Sequence, residues 1–573
     1  IRDLVRSRGL GDVYKRQHVH QDRAESTYNF LDTSVPYDMN GQPILQRIYE
    51  GSNVLSYTQE TSGNKKTYLE ASLNYDRTFN DDHRVSALFL FNQQSKLLYP
   101  KGTLEDAIPY RMMGIAGRAT YSWKDRYFAE FNIGYNGAEN FSPKHRFGTF
   151  PAFGVGWVVS NEKFWQPLSK AVSFLKIRYT DGKVGNSEVS DRRFMYLDQM
   201  KENGDYGYKF GPNGTKWSGY ETVNMAVDLI WEESRKQDLG IDLKLFNDDL
   251  SIVFDLFKER RENILLKREH SIPSFLGYNT SAPYGNIGII ENKGFDGTIE
   301  YNKRINKDWV IALRGNVTFN KDKWIQGELP EQKYEWMNQY GHNINGVKGY
   351  VAEGLFTQAE IDDMARWESL SDANKAITPK PFASQFGTVK AGDIKYKDMN
   401  GDRIIDDNDV HPIGHSSSVP EIYYGLKLGF EYKGFGLDAL FQGVADYSRM
   451  MNVSSVYWPL RNNTNVSDWY LHDKIRWTEE TRDIANVPRL TTLNNSNNFR
   501  NSTQWLVNGD YFKLRNLNVY YNLPQRWISK VKLEQCQIFA RANNVFSIDH
   551  VKYMNCEDFS LSLIHISEPT RPY

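Results

Sequence analysis

Apolar and polar residues alternate along two neighbouring stretches of this chain, residues 66–79 and 85–91. In the first stretch apolar side chains such as Leu69 take the odd positions, and polar side chains such as Glu70 take the even ones. A charged Asn-Asp-Asp turn separates the two stretches. Because successive side chains of a β-strand point to opposite faces, this pattern predicts an antiparallel hairpin with one apolar face. Strands of about ten residues or more are long for a globular sheet, but they match the length of tilted membrane-spanning strands.

The alternation returns as far as Phe546, in about fourteen stretches. Short turns of Asn, Asp, Lys and Gly alternate with connections of roughly twenty to a hundred residues, as in a transmembrane barrel whose long loops share one side. A soluble sandwich gives no reason for this regularity. The sequence therefore predicts an all-β fold, a large antiparallel transmembrane β-barrel that is partial here and has long extracellular loops. The predicted strands are residues 66–79, 85–91, 115–123, 127–135, 153–159, 175–179, 239–245, 252–256, 295–301, 309–319, 424–430, 437–441, 513–521 and 535–545.

Composition narrows the function classes. The formal net charge of −1 and the pI near 6.9 give no electrostatic case for nucleic-acid binding. Aromatic residues make up 14% of the chain, which suits strands and the interfacial girdles of barrels. No run of about eighteen apolar residues occurs, so a typical transmembrane helix is not predicted. Two cysteines, Cys536 and Cys556, are too few for a disulfide scaffold, and their pairing is left open.

The two ends of the chain are related to each other at the level of DNA. Ser7–Gln17 can be encoded so that the complementary strand encodes Leu561–Arg571 without a mismatch. Such an inverted repeat is typical of a sequencing adapter, so residues 1–17 and 561–573 are predicted to be non-native. The natural segment is then residues 18–560, a partial β-barrel.

Several stretches resemble one family, the SusC/RagA-type TonB-dependent outer-membrane transporters of Bacteroidota. They occur in the order found in the family and cover nearly the whole natural segment. These stretches are Thr149–Trp157, Leu175–Arg178, Gly182–Asn186, Trp231–Asp242, Asn286–Gly288, Glu291–Gly294, Gly392–Asp402, Ile413–Gly414, Pro420, Tyr424–Gly425, Pro488–Arg489, Gly509–Asn516, Tyr521–Pro524 and Ala542–Phe546.

The resemblance implies a barrel of about 22 strands that encloses an N-terminal plug domain. It also implies a SusD-like surface lipoprotein and the TonB complex as partners, and the outer membrane of a Gram-negative bacterium as the location. By the same comparison, the present chain is expected to lack the plug, the TonB-contacting segment, the first several strands and the terminal strand.

Residues 398–409 have the spacing of a calcium-binding loop. Oxygen donors fall at positions one, three, five, nine and twelve, and a backbone carbonyl falls at position seven. Arg403 stands where glycine is usual, and the last carboxylate is Asp in place of Glu. The alternative is an Asx-rich turn held by its own side-chain hydrogen bonds. The predicted ligands of a structural Ca²⁺ are Asp398, Asn400, Asp402, Ile404, Asp406 and Asp409.

Aromatic residues in the long connections are candidate stacking platforms for sugar rings. The alternatives are an interfacial girdle, or packing within the loops themselves. The candidates are Trp217, Tyr220, Trp231, Trp367, Tyr457 and Trp458.

These observations favour a TonB-energised importer of oligosaccharides, with peptides as the other substrate class. A siderophore or cobalamin receptor is the alternative within transport. A secreted all-β glycan-binding protein or hydrolase is the alternative from a different class. No nucleophile elbow, phosphate loop, zinc spacing or catalytic carboxylate pair supports an enzyme.

Overall fold

The computed structural model describes residues 6–22, 27–30, 37–38, 40–49, 56–99, 107–188, 193–209, 211, 214–273, 275, 282–452, 475–492, 495–551 and 557. Within these ranges, fifteen strands form one large antiparallel sheet. Each of its strands pairs with the next one along the chain once the short strands of the long connections are set aside. In sheet order they are β1 (Arg6–Asp22), β4 (Ser56–Phe79), β5 (His83–Tyr99), β6 (Tyr110–Trp123), β7 (Tyr127–Ala138), β8 (Phe147–Val158), β9 (Val172–Asn186), β12 (Glu232–Leu245), β13 (Leu250–Lys267), β14 (Tyr284–Arg304), β15 (Trp309–Gln326), β20 (Ile422–Tyr432), β21 (Phe435–Ala445), β24 (Tyr511–Asn522) and β25 (Gln537–Asp549).

Short elements lie in the connections. Five two-stranded sheets pair β2 (Thr27–Phe30) with β3 (Leu45–Tyr49), β10 (Gln199–Lys209) with β11 (Lys216–Asn224), β16 (Gly346–Gly349) with β19 (His411–Ser416), β17 (Ala352–Leu355) with β18 (Ile394–Tyr396), and β22 (Ser448–Met450) with β23 (Leu506–Asn508). Among the described residues, the α-helices are α1 (Gln358–Glu368), α2 (Asp372–Ile377) and α3 (Gln525–Ile528), and the 3₁₀ helices are Val159–Asn161, Lys163–Leu168, Glu335–Met337, Asp407–Asp409 and Ser529–Val531. None of the described helices is long and apolar enough to span a membrane.

The fourteen strands from β4 to β25 of the large sheet are the fourteen that the alternation predicts, so the all-β antiparallel fold is confirmed. The strands are longer than predicted at their long-loop ends. β14, for example, contains 21 residues and begins at Tyr284, eleven positions before Phe295, the first residue of the predicted strand. At these ends the backbone pairing continues, but charged residues such as Lys293 and Glu291 occur on the outward face. A prediction based on alternating apolar residues therefore ends the strand too early.

Turns of two to four residues close most of the hairpins at one end of the sheet, and connections with short helices close β8–β9 and β24–β25. Several of their residues adopt the left-handed backbone conformation, including Asn80 (φ 50°), Asp125 (φ 49°) and Asn247 (φ 57°). Asn and Asp tolerate this conformation better than other residues with a side chain, which explains why the turns have that composition. In the β14–β15 turn, Asn306 Oδ1 instead accepts backbone N–H groups from Asp308 at 2.8 Å and Trp309 at 3.0 Å.

The two faces of the sheet differ in chemistry. One face is apolar, and near the short turns it carries a row of stacked rings across β5 to β8. The ring centroids of Trp123 and Tyr127 are 5.6 Å apart, and those of Tyr127 and Trp157 are 6.4 Å apart. Further along the sheet, the ring of Trp309 lies 4.4 Å from that of Tyr432. Such a row is typical of the aromatic girdle at one surface of a membrane, so the apolar face is the outward face.

Strand β1 contains part of the segment predicted to be adapter-derived. Strand β1 pairs with the edge of β4 that faces away from β5, through backbone hydrogen bonds from Arg6 to Asp22. Backbone pairing at a free strand edge accepts almost any sequence, so this contact does not test the origin of residues 1–17. Residues 561–573 lie outside the described part of the chain.

The largest group of buried side chains lies in the long loops and not on the sheet. The loops between β15 and β20 and between β21 and β24 supply Tyr350, Ile394, Tyr396, Met451 and Trp505, each 5% exposed or less. A sheet with lipid on one face and a polar interior on the other has no dry core of its own. The core of this chain therefore forms where loops pack on loops.

The outward face generates a prediction about charge. Ile241 lies on β12 between Phe254 and Ile177 of the adjoining strands, well away from the charged ends of the apolar band. We expect Ile241→Arg to destabilise the membrane-inserted state by about 2–4 kcal/mol, and Leu243→Arg, nearer the turn, to cost less, because the penalty falls towards the interface. The yield of folded protein in isolated membranes measures the effect.

An arginine on the other face of the same sheet is the matched control. Thr298 of β14 alternates with the outward Ile299 and lies between Val253 and Asn316 on the polar side. Thr298→Arg should assemble normally. Equal assembly of Ile241→Arg and Thr298→Arg would contradict the assignment of the two faces.

Candidate functional site

The inner face of the sheet is polar and is organised by paired charges. The Arg178 guanidinium on β9 contacts three carboxylates of β12 and β13, with N–O distances of 3.2 Å to Asp238, 3.5 Å to Asp242 and 2.5 Å to Asp255. All four residues alternate with apolar outward residues on their strands. A hollow of about 660 Å³ on the same face is lined by Arg178 and by polar groups of β5 to β9. This face can therefore line a hydrated passage.

The loops at the other end of the strands are tied together by one buried carboxylate. Asp393 is fully buried, and its oxygens lie 2.8 Å from Arg489 Nε, 3.0 Å from Asn495 Nδ2 and 2.9 Å from Asn498 Nδ2. Asp393 belongs to the loop between β15 and β20, whereas its three partners belong to the loop between β21 and β24. The ion pair and the amide hydrogen bonds together hold the two longest loops in one arrangement.

Two adjacent asparagines extend this connection along the backbone. Asn498 Oδ1 accepts the N–H of Ile394 at 2.9 Å, and Asn497 Nδ2 donates to the carbonyl of Ile394 at 2.7 Å. Both side chains are buried, and they replace the strand partner that the edge of β18 would otherwise need. Trp505 closes the same region by donating its indole N–H to the Asn498 carbonyl at 2.8 Å.

The predicted calcium loop follows β18 and is held by Asx turns. Asp398 accepts the backbone N–H groups of Gly401 at 2.7 Å and of Arg403 at 2.8 Å, and Asp402 accepts that of Ile404 at 2.9 Å. Arg403 adopts a left-handed conformation (φ 67°), which is the conformation that glycine supplies at this position of a calcium loop. The backbone thus makes the expected turn without the expected residue.

The remaining predicted ligands are held by nearby backbone groups. Asp406 Oδ1 accepts the N–H of Asn408 at 2.8 Å, and Asn400 Oδ1 accepts that of Asp402 at 3.0 Å. Asp409 is buried and accepts the N–H groups of Met399 and Asp406 at 2.7 and 2.9 Å. Burial raises the pKa of the Asp409 carboxyl above its ordinary value.

Oxygen donors of this kind suit Ca²⁺, but the carboxylates of the loop do not converge on one point. Within the described ranges, no three of them bring their oxygens within 4.8 Å of one another. The hydrogen bonds follow the Asx-turn alternative. Calcium binding at residues 398–409 stays a prediction.

Tyr350 connects residues 398–409 to the buried side chains of the long loops. Tyr350 donates its hydroxyl to Asp407 at 3.3 Å, and its ring packs 5.3 Å from that of Tyr396. Burial, with the Asp407 charge as a smaller cause, raises the pKa of Tyr350 to about 12. The hydroxyl therefore remains a hydrogen-bond donor throughout the physiological range.

The aromatic candidates do not form one platform. Trp217 and Tyr220 lie on β11 and are 68% and 69% exposed, and Tyr208 of β10 pairs across from Trp217. Trp367 lies on α1, where its indole N–H donates to the Thr378 carbonyl at 2.8 Å and its side chain packs against the cluster of Phe356, Met364 and Phe382.

Two other aromatic candidates lie outside the described residues, and a third is buried. Trp231 is 7% exposed, stacks 4.8 Å from Phe141 and donates to the His145 carbonyl at 3.1 Å, so it serves loop packing. Tyr457 and Trp458 fall in the undescribed range 453–474. Among the candidates that the structure describes, the β10–β11 hairpin therefore offers the most exposed aromatic surface.

The structure also brings together a cluster that the sequence pattern does not indicate. His415 Nδ1 lies 3.4 Å from a Glu421 oxygen, and His415 Nε2 lies 3.8 Å from an Asp446 oxygen. The three residues come from the end of β19, the start of β20 and the end of β21. Their irregular spacing of 6 and 25 positions matches no known motif, so only the folded strands reveal them.

Comparison with known proteins finds similarity to receptors of the TonB-dependent class. It is 25% identical to "TonB-dependent receptor P39" of Formosa agariphila, over 96% of this chain and 53% of that protein. It is 24% identical to "TonB-dependent receptor SusC" of Bacteroides thetaiotaomicron, over 77% of this chain and 41% of that protein. The chain spans about half the length of the curated relatives it matches. No family model matches it.

Solved structures give the same result for the fold. The structure of the RagAB peptide transporter superposes with a TM-score of 0.67 over 97% of this chain and 57% of that chain, at 16% identity. At that identity the likeness concerns the fold alone. Together with the sequence relatives, it confirms the predicted resemblance to SusC/RagA-type TonB-dependent transporters.

The buried Asp393 leads to a stability prediction. Asp393→Ala would leave Arg489 and two amide groups without their shared acceptor, and breaking such a buried pair costs about 3–5 kcal/mol. We expect the two long loops to become protease-sensitive while the sheet stays folded. Limited proteolysis of the membrane-embedded protein measures this.

Asp483 provides the control for that change. Its side chain is 91% exposed, and it lies in the same loop as Arg489. Asp483→Ala should leave the cleavage pattern as it is. If Asp393→Ala did the same, the buried carboxylate would not be holding the loops.

The calcium prediction has its own test. If residues 398–409 bind Ca²⁺, an ion concentration of about 100 times Kd will stabilise the loop by about 2.7 kcal/mol, and Asp402→Ala will abolish the effect. Proteolysis of this segment with Ca²⁺ or with EDTA, and Mg²⁺ as the control ion, measures it. Identical cleavage in Ca²⁺ and in EDTA would contradict calcium binding and support the Asx-turn interpretation.

Proposed function

We propose that this chain, which is of the SusC/RagA type in sequence and fold, is part of an outer-membrane nutrient importer energised by TonB. Oligosaccharides are the proposed substrates, with peptides as the other class. The proposed partners are a SusD-like surface lipoprotein and, through a plug domain, the TonB complex.

The observation that carries this proposal is the division of the sheet into an apolar outward face and a charged inward face. Arg178 and its three carboxylates would cost several kcal/mol each against lipid, and they need the polar interior of a wide barrel. A lumen of that kind suits passage of a hydrophilic solute. The named relatives are receptors of the TonB-dependent class, which supports the same activity.

The long-loop end supports a role in substrate or lid contact. The β10–β11 hairpin holds Trp217, Tyr208 and Tyr220 in exposed positions, and an exposed aromatic group of this kind is typical of an interaction surface. The loops that Asp393 joins form a packed body of their own. A sugar or a lipoprotein lid would meet these loops first.

Uptake by whole cells tests the proposal. A strain that lacks the gene, and the same strain with the gene restored, are supplied with fluorescent oligosaccharides or peptides. We expect energy-dependent uptake of one substrate class only in the restored strain. Uptake that persists without the gene, or that continues after TonB is removed, would contradict the proposal.

Variants of the hairpin refine the test. Trp217→Ala with Tyr220→Ala should weaken substrate capture or lid binding by about tenfold, since exposed aromatic anchors contribute on the order of 1–2 kcal/mol. Phe164→Ala is the control, because Phe164 is 62% exposed but lies in the short connection between β8 and β9. A ferric siderophore or cobalamin as the imported solute would favour the alternative receptor class.

A further inference from the structure

The outward face of β13, β14 and β15 carries four lysines at the edge of the apolar band. Lys258 of β13 pairs directly across from Lys293 of β14, and Lys293 pairs across from Lys321 of β15. Lys323 lies two positions beyond Lys321, on the same face. We call Lys258, Lys293, Lys321 and Lys323 the lysine cluster.

Like charges directly opposite on neighbouring strands destabilise a sheet. Glu291 lies on the same face, two positions beyond Lys293, 3.3 Å from Lys258 Nζ and 3.6 Å from Lys323 Nζ, and Glu421 lies 3.7 Å from Lys321 Nζ. Two carboxylates therefore face four ammonium groups. The surplus of positive charge needs an anion from outside the sheet.

Other strands balance their charges at the same level. Arg111 of β6 pairs with Glu139 beyond the end of β7 at 3.4 Å, and Arg235 of β12 pairs with Asp181 of β9 at 2.6 Å. The surplus of lysine on β13, β14 and β15 differs from these two sites, where each arginine has a carboxylate within 3.4 Å.

The position of the lysine cluster along its strands indicates which layer of a membrane it would contact. Lys321 lies twelve positions along β15 from Trp309 of the aromatic row. At about 3.3 Å per residue and a strand tilt of about 40°, that places Lys321 about 30 Å above Trp309. The apolar band of a barrel is about 25 Å tall, so the lysines stand at the level of the lipid headgroups on the long-loop side.

The residues next to the cluster suit lipid. Towards the short turns, the next outward residues are Leu256, Phe295 and Phe319, which pair across the same three strands, and the Phe295 and Phe319 rings lie 5.7 Å apart. Acyl chains would lie against this apolar row while an anionic headgroup reaches the lysines. Ammonium groups bind phosphate oxygens as point charges.

There is room for such a headgroup. A cavity of about 790 Å³ opens beside Lys293, Lys321 and Lys323. Five carboxylates also line this cavity, and each has a partner. Glu291 contacts Lys258 and Lys323 of the cluster. Glu421 and Asp446 flank His415, Asp322 accepts a backbone N–H from Ile344, and Asp510 accepts one from Tyr447 at 3.1 Å.

We propose that the lysine cluster binds the phosphorylated headgroup of a lipid in the outer leaflet of the membrane. This rests on the proposed function only in placing the apolar face in a membrane. It assigns a lipid site to one sector of the outer wall, apart from any substrate path through the interior.

Binding of diphosphoryl lipid A to the purified, delipidated full chain in nonionic detergent tests the proposal. We expect Lys293→Gln combined with Lys321→Gln to raise the Kd by about tenfold or more, and the matching double change to Arg to restore it. Lys427→Gln is the matched control, because Lys427 is an exposed lysine on the opposite face of the neighbouring β20. Heat-dependent mobility on gels confirms that each variant is folded.

Four results would overturn the proposal. The first three are that the double Gln variant binds lipid A as the unaltered chain does, that dephosphorylated lipid with the same acyl chains binds equally well, and that Lys427→Gln loses as much affinity. Competition by inorganic phosphate at equal concentration would identify a free-phosphate site and would also overturn it. None of these measurements depends on uptake, so a chain that binds the lipid but imports nothing would contradict only the proposed function.

Discussion

Backbone hydrogen bonding between long antiparallel strands is the constraint on which the rest of this structure depends. A strand in lipid has no water to satisfy its N–H and C=O groups, so each must find a partner on a neighbouring strand. From β4 to β25 the pairing of the large sheet is almost continuous, with few bulges. Pairing fixes the register, and register fixes which side chains face outward. The apolar face, the inward Arg178 group and the outward lysine cluster all follow from it.

The same constraint explains why the main hydrophobic core lies in the long loops and not on the sheet. With one face towards lipid and the other towards a polar interior, large side chains such as Trp505 and Tyr350 are buried where the long loops pack on each other. The loops have little regular pairing of their own, so side chains satisfy their backbone. Asn497 and Asn498 do so for Ile394, and the carboxylates of residues 398–409 do so for a series of turns. Polar side chains therefore perform in the loops the task that neighbouring strands perform in the sheet.

Two chemically distinct surfaces result at the long-loop end. On the outward side, the lysine cluster and its apolar row belong to strands, and their positions follow from pairing alone. Above them, the β10–β11 hairpin and the body joined by Asp393 belong to loops and can vary without disturbing the sheet. A sheet built this way can carry different loops while the residues on its outward face stay the same.

The sequence by itself determined the strands, because alternation in the apolar band is a local signal repeated in every strand. It also identified the turn-rich loop at residues 398–409, since Asx spacing is local too. It did not determine the strand ends near Lys321 and Tyr284, where pairing continues after the alternation stops. Only the tertiary structure decided that Asp393 meets Arg489 and that His415 meets Glu421 and Asp446. Those partners are brought together by the register of the strands that carry the loops, which no local pattern records.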